Sequence, residues 1–149
     1  MFCKFIVVGG PENAVGKNHS AGTELKDISV LCDAIERLNG RKFCQLFIGE
    51  SFPDDDSMVP WGGLGLEISG GEEDRYYCQI CKETVEGLDV FVILDSPIEG
   101  AKDLVEVRRG QSSSVWKGSI INKEEVLKLA VLFAETGEMS EAHTWKKSR

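Results

Sequence analysis

The stretch VVGGPENAVGKNHS, residues 7–20, holds the residue types of a phosphate-binding loop. In such a loop glycine N–H groups cradle phosphates, a lysine pairs with them, and a helix starting at that lysine adds its dipole. The spacing departs from this chemistry. Four residues should separate the first glycine from Gly-Lys, but five lie between Gly10 and Gly16, and Asn18 stands where magnesium needs Ser or Thr. Gly22 interrupts, and a helical pattern begins only near Asp27. Asp95, closing the apolar run VFVILD, occupies the place of a companion magnesium-binding acid. A small nucleotide-binding protein or enzyme using residues 9–17, with Lys17 and Asp95, is therefore the alternative function. The mismatches favour a long polar loop over residues 10–24.

CQIC, Cys78 to Cys81, has the spacing of a metal knuckle or a redox pair. Residues i and i+3 on a strand point to opposite faces, so these thiols should not converge, and a redox pair belongs at a helix start. The remaining cysteines (Cys3, Cys32, Cys44) fall singly in other elements, too scattered for a four-ligand zinc site. Structural cysteine, packing as a small hydrophobe, is the expectation. The two histidines, His19 and His143, lie in segments expected to be flexible, and neither adjoins a nucleophile in a recognisable motif. The serines of QSSSV lack the glycine elbow of a hydrolase nucleophile. We expect no catalytic residues, no metal and no cofactor.

Charge is the more informative feature. Glu50, Asp54, Asp55, Asp56, Glu67, Glu72, Glu73 and Asp74 fall between Phe43 and Asp74, with no lysine or arginine among them. The three aspartates are neighbours in sequence of Phe52, Met58 and Trp61. Such a segment either keeps the protein in solution or forms a recognition surface. On the second reading Asp54, Asp55, Asp56, Glu72, Glu73 and Asp74 form a rim that steers a basic partner. Trp61 then supplies the buried middle of the contact.

The totals agree with a binding role. The chain has 149 residues, 42% hydrophobic and 28% charged, matching one globular domain over residues 1–149. A formal net charge of −8 disfavours nucleic acid and anionic membrane as direct partners. No apolar run approaches the roughly 18 residues of a membrane span. The N-terminal MFCKFIVVG reads as a first strand and not a signal peptide, and the odd number of cysteines, 5, suits the reducing cytoplasm.

The elements that must position these residues follow from periodicity. CKFIVVG (3–9) and KFCQLFIGE (42–50) read as strands. DISVLCDAIERLNG reads as a helix with Asp27 as N-cap and Gly40 past its end. GLGLEIS alternates, Leu64, Leu66 and Ile68 against Gly65 and Glu67, and with RYYCQICKE makes a hairpin across GGEED. DVFVILD (89–95) and LVEVRRG (104–110) are further strands, and SSVWKGS a weaker one. In NKEEVLKLAVLFAETG, Asn122 and Glu125 form a capping box, Val126, Leu129, Ala130 and Phe133 form the buried stripe, and Gly137 ends the helix. The pattern predicts an α+β fold, a mainly antiparallel sheet of about five to seven strands with two helices packed on it.

Three segments carry a resemblance. DISVLCDAIERLNGRKFCQLFIG (27–49), WGGLGLEISGGEEDRYYCQI (61–80) and SIINKEEVLKLAVLFAETGEMSEAHTW (119–145) resemble the opening helix and strand, central hairpin and closing segment of the first-numbered immunity protein family of bacterial polymorphic toxin systems. That family's recurrent tryptophans would map onto Trp116 and Trp145. The chain departs from the pattern in lacking a proline between Gly137 and Trp145 and in its longer 10–24 loop. The resemblance implies a cytoplasmic antitoxin that binds a cognate toxin domain, often one acting on nucleic acids such as a deaminase or nuclease, and blocks its active site.

Overall fold

The structure, a computed structural model, describes residues 1–9, 22–57, 59–95, 100–109 and 112–148. Among the described residues ten strands and two helices follow in the order β1 (Phe5–Gly9), β2 (Thr23–Glu24), α1 (Ile28–Arg37), β3 (Gln45–Ser51), β4 (Gly62–Gly70), β5 (Tyr76–Thr84), β6 (Gly87–Ile93), β7 (Leu104–Arg108), β8 (Ser112–Trp116), β9 (Ile120–Ile121), α2 (Lys123–Thr136) and β10 (Trp145–Lys147). The main sheet runs β10-β6-β5-β4-β3-β1-β2, with β9 added on β5, and β7 pairs with β8 as a separate hairpin. Every pairing is antiparallel. The α+β expectation holds.

The alternation seen in sequence sorts the sheet into two apolar layers. Leu46, Ile48, Leu66, Ile68, Cys78, Ile80 and Ile93 join Leu31 and Ile35 of α1 and Val126, Leu129 and Phe133 of α2 in one cluster. Phe5, Val7, Phe47, Trp61, Tyr77, Cys81, Val90 and Val92 form another, shared with Val107 of β7 and Val115 of β8. The β7–β8 hairpin thus covers the layer opposite the helices.

Helix ends are set by local chemistry. The Asp27 carboxylate accepts from Ser29 N and Ser29 Oγ, satisfying an orphan donor at the start of α1. In α2, Glu125 N donates to Asn122 Oδ1 at 2.9 Å while Asn122 N donates to Glu125 Oε1 at 3.2 Å. Gly137, at φ 74°, turns the chain out by a left-handed step that a side chain would resist.

Three short strands depart from the sequence expectation. Thr23–Glu24 is not loop but β2, pairing with Phe5 and Ile6. Ile120–Ile121 pairs with Tyr76 and Tyr77, and Trp145–Lys147 pairs with Ile93, Val92 and Phe91. Strands of two or three residues are too short to alternate, and only their partners define them.

Candidate functional site

The acidic segment was expected to form one rim, but its two halves sit at opposite ends of β4. Asp54, Asp55 and Asp56 belong to the exposed turn after β3, whose Ser51 pairs with Gly62. Glu72, Glu73 and Asp74 form a single 3-10 turn between β4 and β5. Nine strand residues at about 3.4 Å each separate the halves by about 30 Å.

The Glu72–Asp74 turn is the more elaborated end. Glu73 (φ 56°) and Asp74 (φ 58°) both take left-handed backbone, unusual for side-chain-bearing residues. The turn rests on the end of α1, close enough that a Cβ on Gly40 would stand 2.6 Å from Glu72 Cβ. Arginines flanking the acidic run meet two of these carboxylates, and a backbone N–H meets the third. Arg41 NH2 lies 3.3 Å from Glu72 Oε1, Arg75 NH1 lies 3.9 Å from Glu73 Oε2, and Lys123 N donates to Asp74 Oδ1 at 2.8 Å. Asp74 is thereby a second cap for α2. Glu72, Glu73, Arg75, Glu106 and Val107 line a pocket of about 340 Å³, three carboxylates against one guanidinium.

At the other end, Asp54 Oδ1 accepts from Asp56 N and Ser57 Oγ, so Asp54 braces its own turn. Trp61 does not serve as a surface contact there: it is 1% exposed. Gly49 and Gly65 are paired across β3 and β4, and a Cβ on either would lie within 2.4 Å of the Trp61 side chain. The indole fills the hollow left by these two glycines, with the Phe47 ring centroid 5.4 Å away. Its position as expected centre of an interface is therefore corrected to core. The exposed aromatic of this region is Phe52, half-exposed and edge-on to Phe5 at 5.0 Å.

A buried polar network went unnoticed in the sequence. Glu67 points away from Leu66 and Ile68, as its alternation required, yet it is buried. Arg109 Nε donates to Glu67 Oε2 at 2.7 Å and NH2 to Oε1 at 3.1 Å. Ser69 Oγ and Gln79 Nε2 also donate to this carboxylate, and the Tyr77 hydroxyl donates to Gln79 Oε1 at 3.1 Å. The Arg109 guanidinium lies 4.8 Å from the centre of the Tyr77 ring, and burial pushes the Tyr77 phenol up to about 12. With two charged and two neutral donors, Glu67 fastens the β7–β8 hairpin to the sheet.

The remaining candidates resolve similarly. Residues 10–17, including Lys17, lie outside the described residues, as does His19. The nearest downstream helix terminus is already capped by Asp27. Asp95 accepts from Thr144 N at 3.0 Å and lies 3.1 Å from His143 Nδ1, whose other nitrogen is 3.8 Å from Glu125. The His143 side chain is only 5% exposed, so this part of the tail is held and not flexible. Cys78 and Cys81 fall in opposite apolar layers, as strand geometry demanded, and burial pushes the Cys78 thiol upward. Among the described residues, no group of three or more His, Cys, Asp or Glu is placed to hold a metal, and no helix is long and apolar enough to cross a membrane.

Sequence reasoning also missed an open apolar groove of about 740 Å³ between the end of α2 and the β4–β6 strands. Its signal was Met139, an apolar residue set between Glu138 and Ser140 just past the helix. Compared with known proteins, the chain matches no family model and no curated sequence.

Proposed function

We propose that this protein is an inhibitor of a basic partner, an immunity protein that binds a cognate toxin domain in the cytoplasm and covers its active site. The observation that carries this reading is the Glu72–Glu73 turn. It stands beside a pocket in which Glu106 adds a third carboxylate and Arg75 is the one cation among the described lining residues. The pairs holding Glu72 and Glu73 are solvent-exposed, and such pairs are worth about 0–1 kcal/mol, so an arriving lysine or arginine can replace them. A toxin that grips nucleic acid presents cations of this kind in its cleft. The net charge of −8 adds long-range attraction, and the resemblance of residues 27–49, 61–80 and 119–145 points to the same role.

The test is co-expression with the toxin encoded beside its gene. Protection of the cells and a complex recovered at low salt are expected, with Glu72→Gln/Glu73→Gln weakening both. Cells that die as fast with the protein as without it, together with no recovered complex, would reject the reading.

A further inference from the structure

We propose that the groove beside the end of α2 is a second interaction surface, which docks an amphipathic segment of a partner protein, apolar where it enters and flanked by lysine or arginine. The groove lies at the Leu64 end of β4, away from the Glu72 turn, and the proposal goes beyond the inhibitory reading because it is tested without any toxin.

Leu64, Ile80 and Phe91 form its floor on the sheet, and Leu132 forms its wall on α2. Met139, 40% exposed, stands at the side, where a flexible thioether can adapt to an incoming side chain. A volume of about 740 Å³ falls within the roughly 300–1,000 Å³ typical of binding clefts. These are apolar side chains on a sheet face and a helix, without a free strand edge, which suits the helix-in-groove mode of recognition.

Charge identifies the occupant. The C-terminus of a helix carries about half a negative charge and favours cations nearby. The last turn of α2 has none; instead Glu135 lies within it, and Glu138 and Glu141 follow at the groove. Among the described residues none of these three carboxylates has an ion pair, unlike Glu72 and Glu73 at the opposite end of β4. Negative charge is therefore concentrated along the α2 side of an apolar groove, where the described lining residues include no cation. Lys82, on the sheet side, is the only basic residue among the described lining residues.

The probe is a labelled 14-residue model helix with leucines at i, i+3, i+4 and i+7 and lysines elsewhere, read by fluorescence anisotropy. Two controls accompany it, one with the leucines scrambled and one with glutamate replacing lysine. The striped lysine peptide should bind about tenfold more tightly than either control. Met139→Glu should weaken it about tenfold, although the added carboxylate would strengthen simple charge attraction. Glu138→Gln/Glu141→Gln should weaken it severalfold and flatten its salt dependence. Equal binding of striped and scrambled peptides overturns the proposal using the unaltered protein alone. Undiminished binding to Met139→Glu overturns it as well, with an unchanged melting curve showing that the variant is folded. A concentration-dependent dimer that Met139→Glu dissolves would make a second copy the occupant, and likewise overturn it.

Discussion

The guanidinium of Arg109 meets the carboxylate of Glu67 through two bonds, Nε to Oε2 at 2.7 Å and NH2 to Oε1 at 3.1 Å, under the β7–β8 hairpin. Removing one partner of a buried pair leaves a charge without compensation, whereas replacing both is far less costly. Arg109→Met should destabilise the protein by about 3 kcal/mol, and Glu67→Gln/Arg109→Met by clearly less. Urea unfolding of the single and double variants at neutral pH checks this. A double variant as unstable as Arg109→Met would mean that packing, and not charge, holds the hairpin.

Trp61 supplies the second prediction, and it concerns stability and not affinity. Trp61→Ala empties the hollow over Gly49 and Gly65 and should cost about 3–5 kcal/mol. Gly65→Ala pushes a methyl into the indole, 2.1 Å from its nearest ring atom, and should cost about 1–3 kcal/mol. Phe52→Ala, at a half-exposed side chain, should stay within about 0.5 kcal/mol. Thermal melts of the three variants give the order, and a harmless Gly65→Ala would contradict the packing.

Much of this fold was legible in the sequence because its signals are local. The Asn122–Glu125 capping box, the Asp27 cap, and the alternation of Leu64, Leu66 and Ile68 each lie within a few residues, and all stand as read. The site was less legible because its determinants are distant in the chain. Arg109 is 42 residues from Glu67, and Lys123 is 49 from Asp74. Glu67 read as one of a row of solvated acids until the β7–β8 hairpin, which no periodicity places, covered it. Trp61 looked like a surface aromatic because it follows a run of aspartates. Its burial depends on Gly49 and Gly65 being cross-strand partners, a matter of register.

The Asp27 cap predicts an acid response. Hydrogen bonds from Ser29 Oγ and Ser29 N hold the Asp27 carboxyl below its ordinary 3.8. A depressed folded value means the stabilisation is complete above the ordinary value and is lost as pH falls through the folded one. Asp27→Ala should therefore be less stable than the parent at neutral pH, with the difference narrowing as pH falls below the ordinary carboxylate value. Urea midpoints across that range decide; a gap independent of pH would mean that the cap acts without its charge.

The tail offers a local test. Asp95 holds Thr144 N at 3.0 Å and His143 Nδ1 at 3.1 Å, directly before β10 pairs with β6. Asp95→Ala should release residues 143–147 while sparing the core sheet, because a hydrogen bond to a charged group is worth about 1.5–3 kcal/mol. Amide exchange at Trp145, Lys146 and Lys147 should accelerate about tenfold or more, with Leu46 and Leu66 unchanged. Uniform acceleration would show instead that the tail unfolds only with the whole domain.

The last prediction uses the division of the acidic segment. Its halves stand about 30 Å apart along β4, and at 0.1 M salt charges are screened over about 10 Å, so each end acts on its own surroundings. If the partner's cations enter the pocket beside Glu106, Glu72→Gln/Glu73→Gln should slow association and flatten its salt dependence. Replacing Asp54, Asp55 and Asp56 by asparagine removes more charge from the protein but should leave the association rate within about twofold. Stopped-flow measurements at several salt concentrations separate the two. Equal slowing by both sets would mean that the partner senses only net charge, and a larger effect from the aspartates would move the contact to the Phe52 end of the sheet.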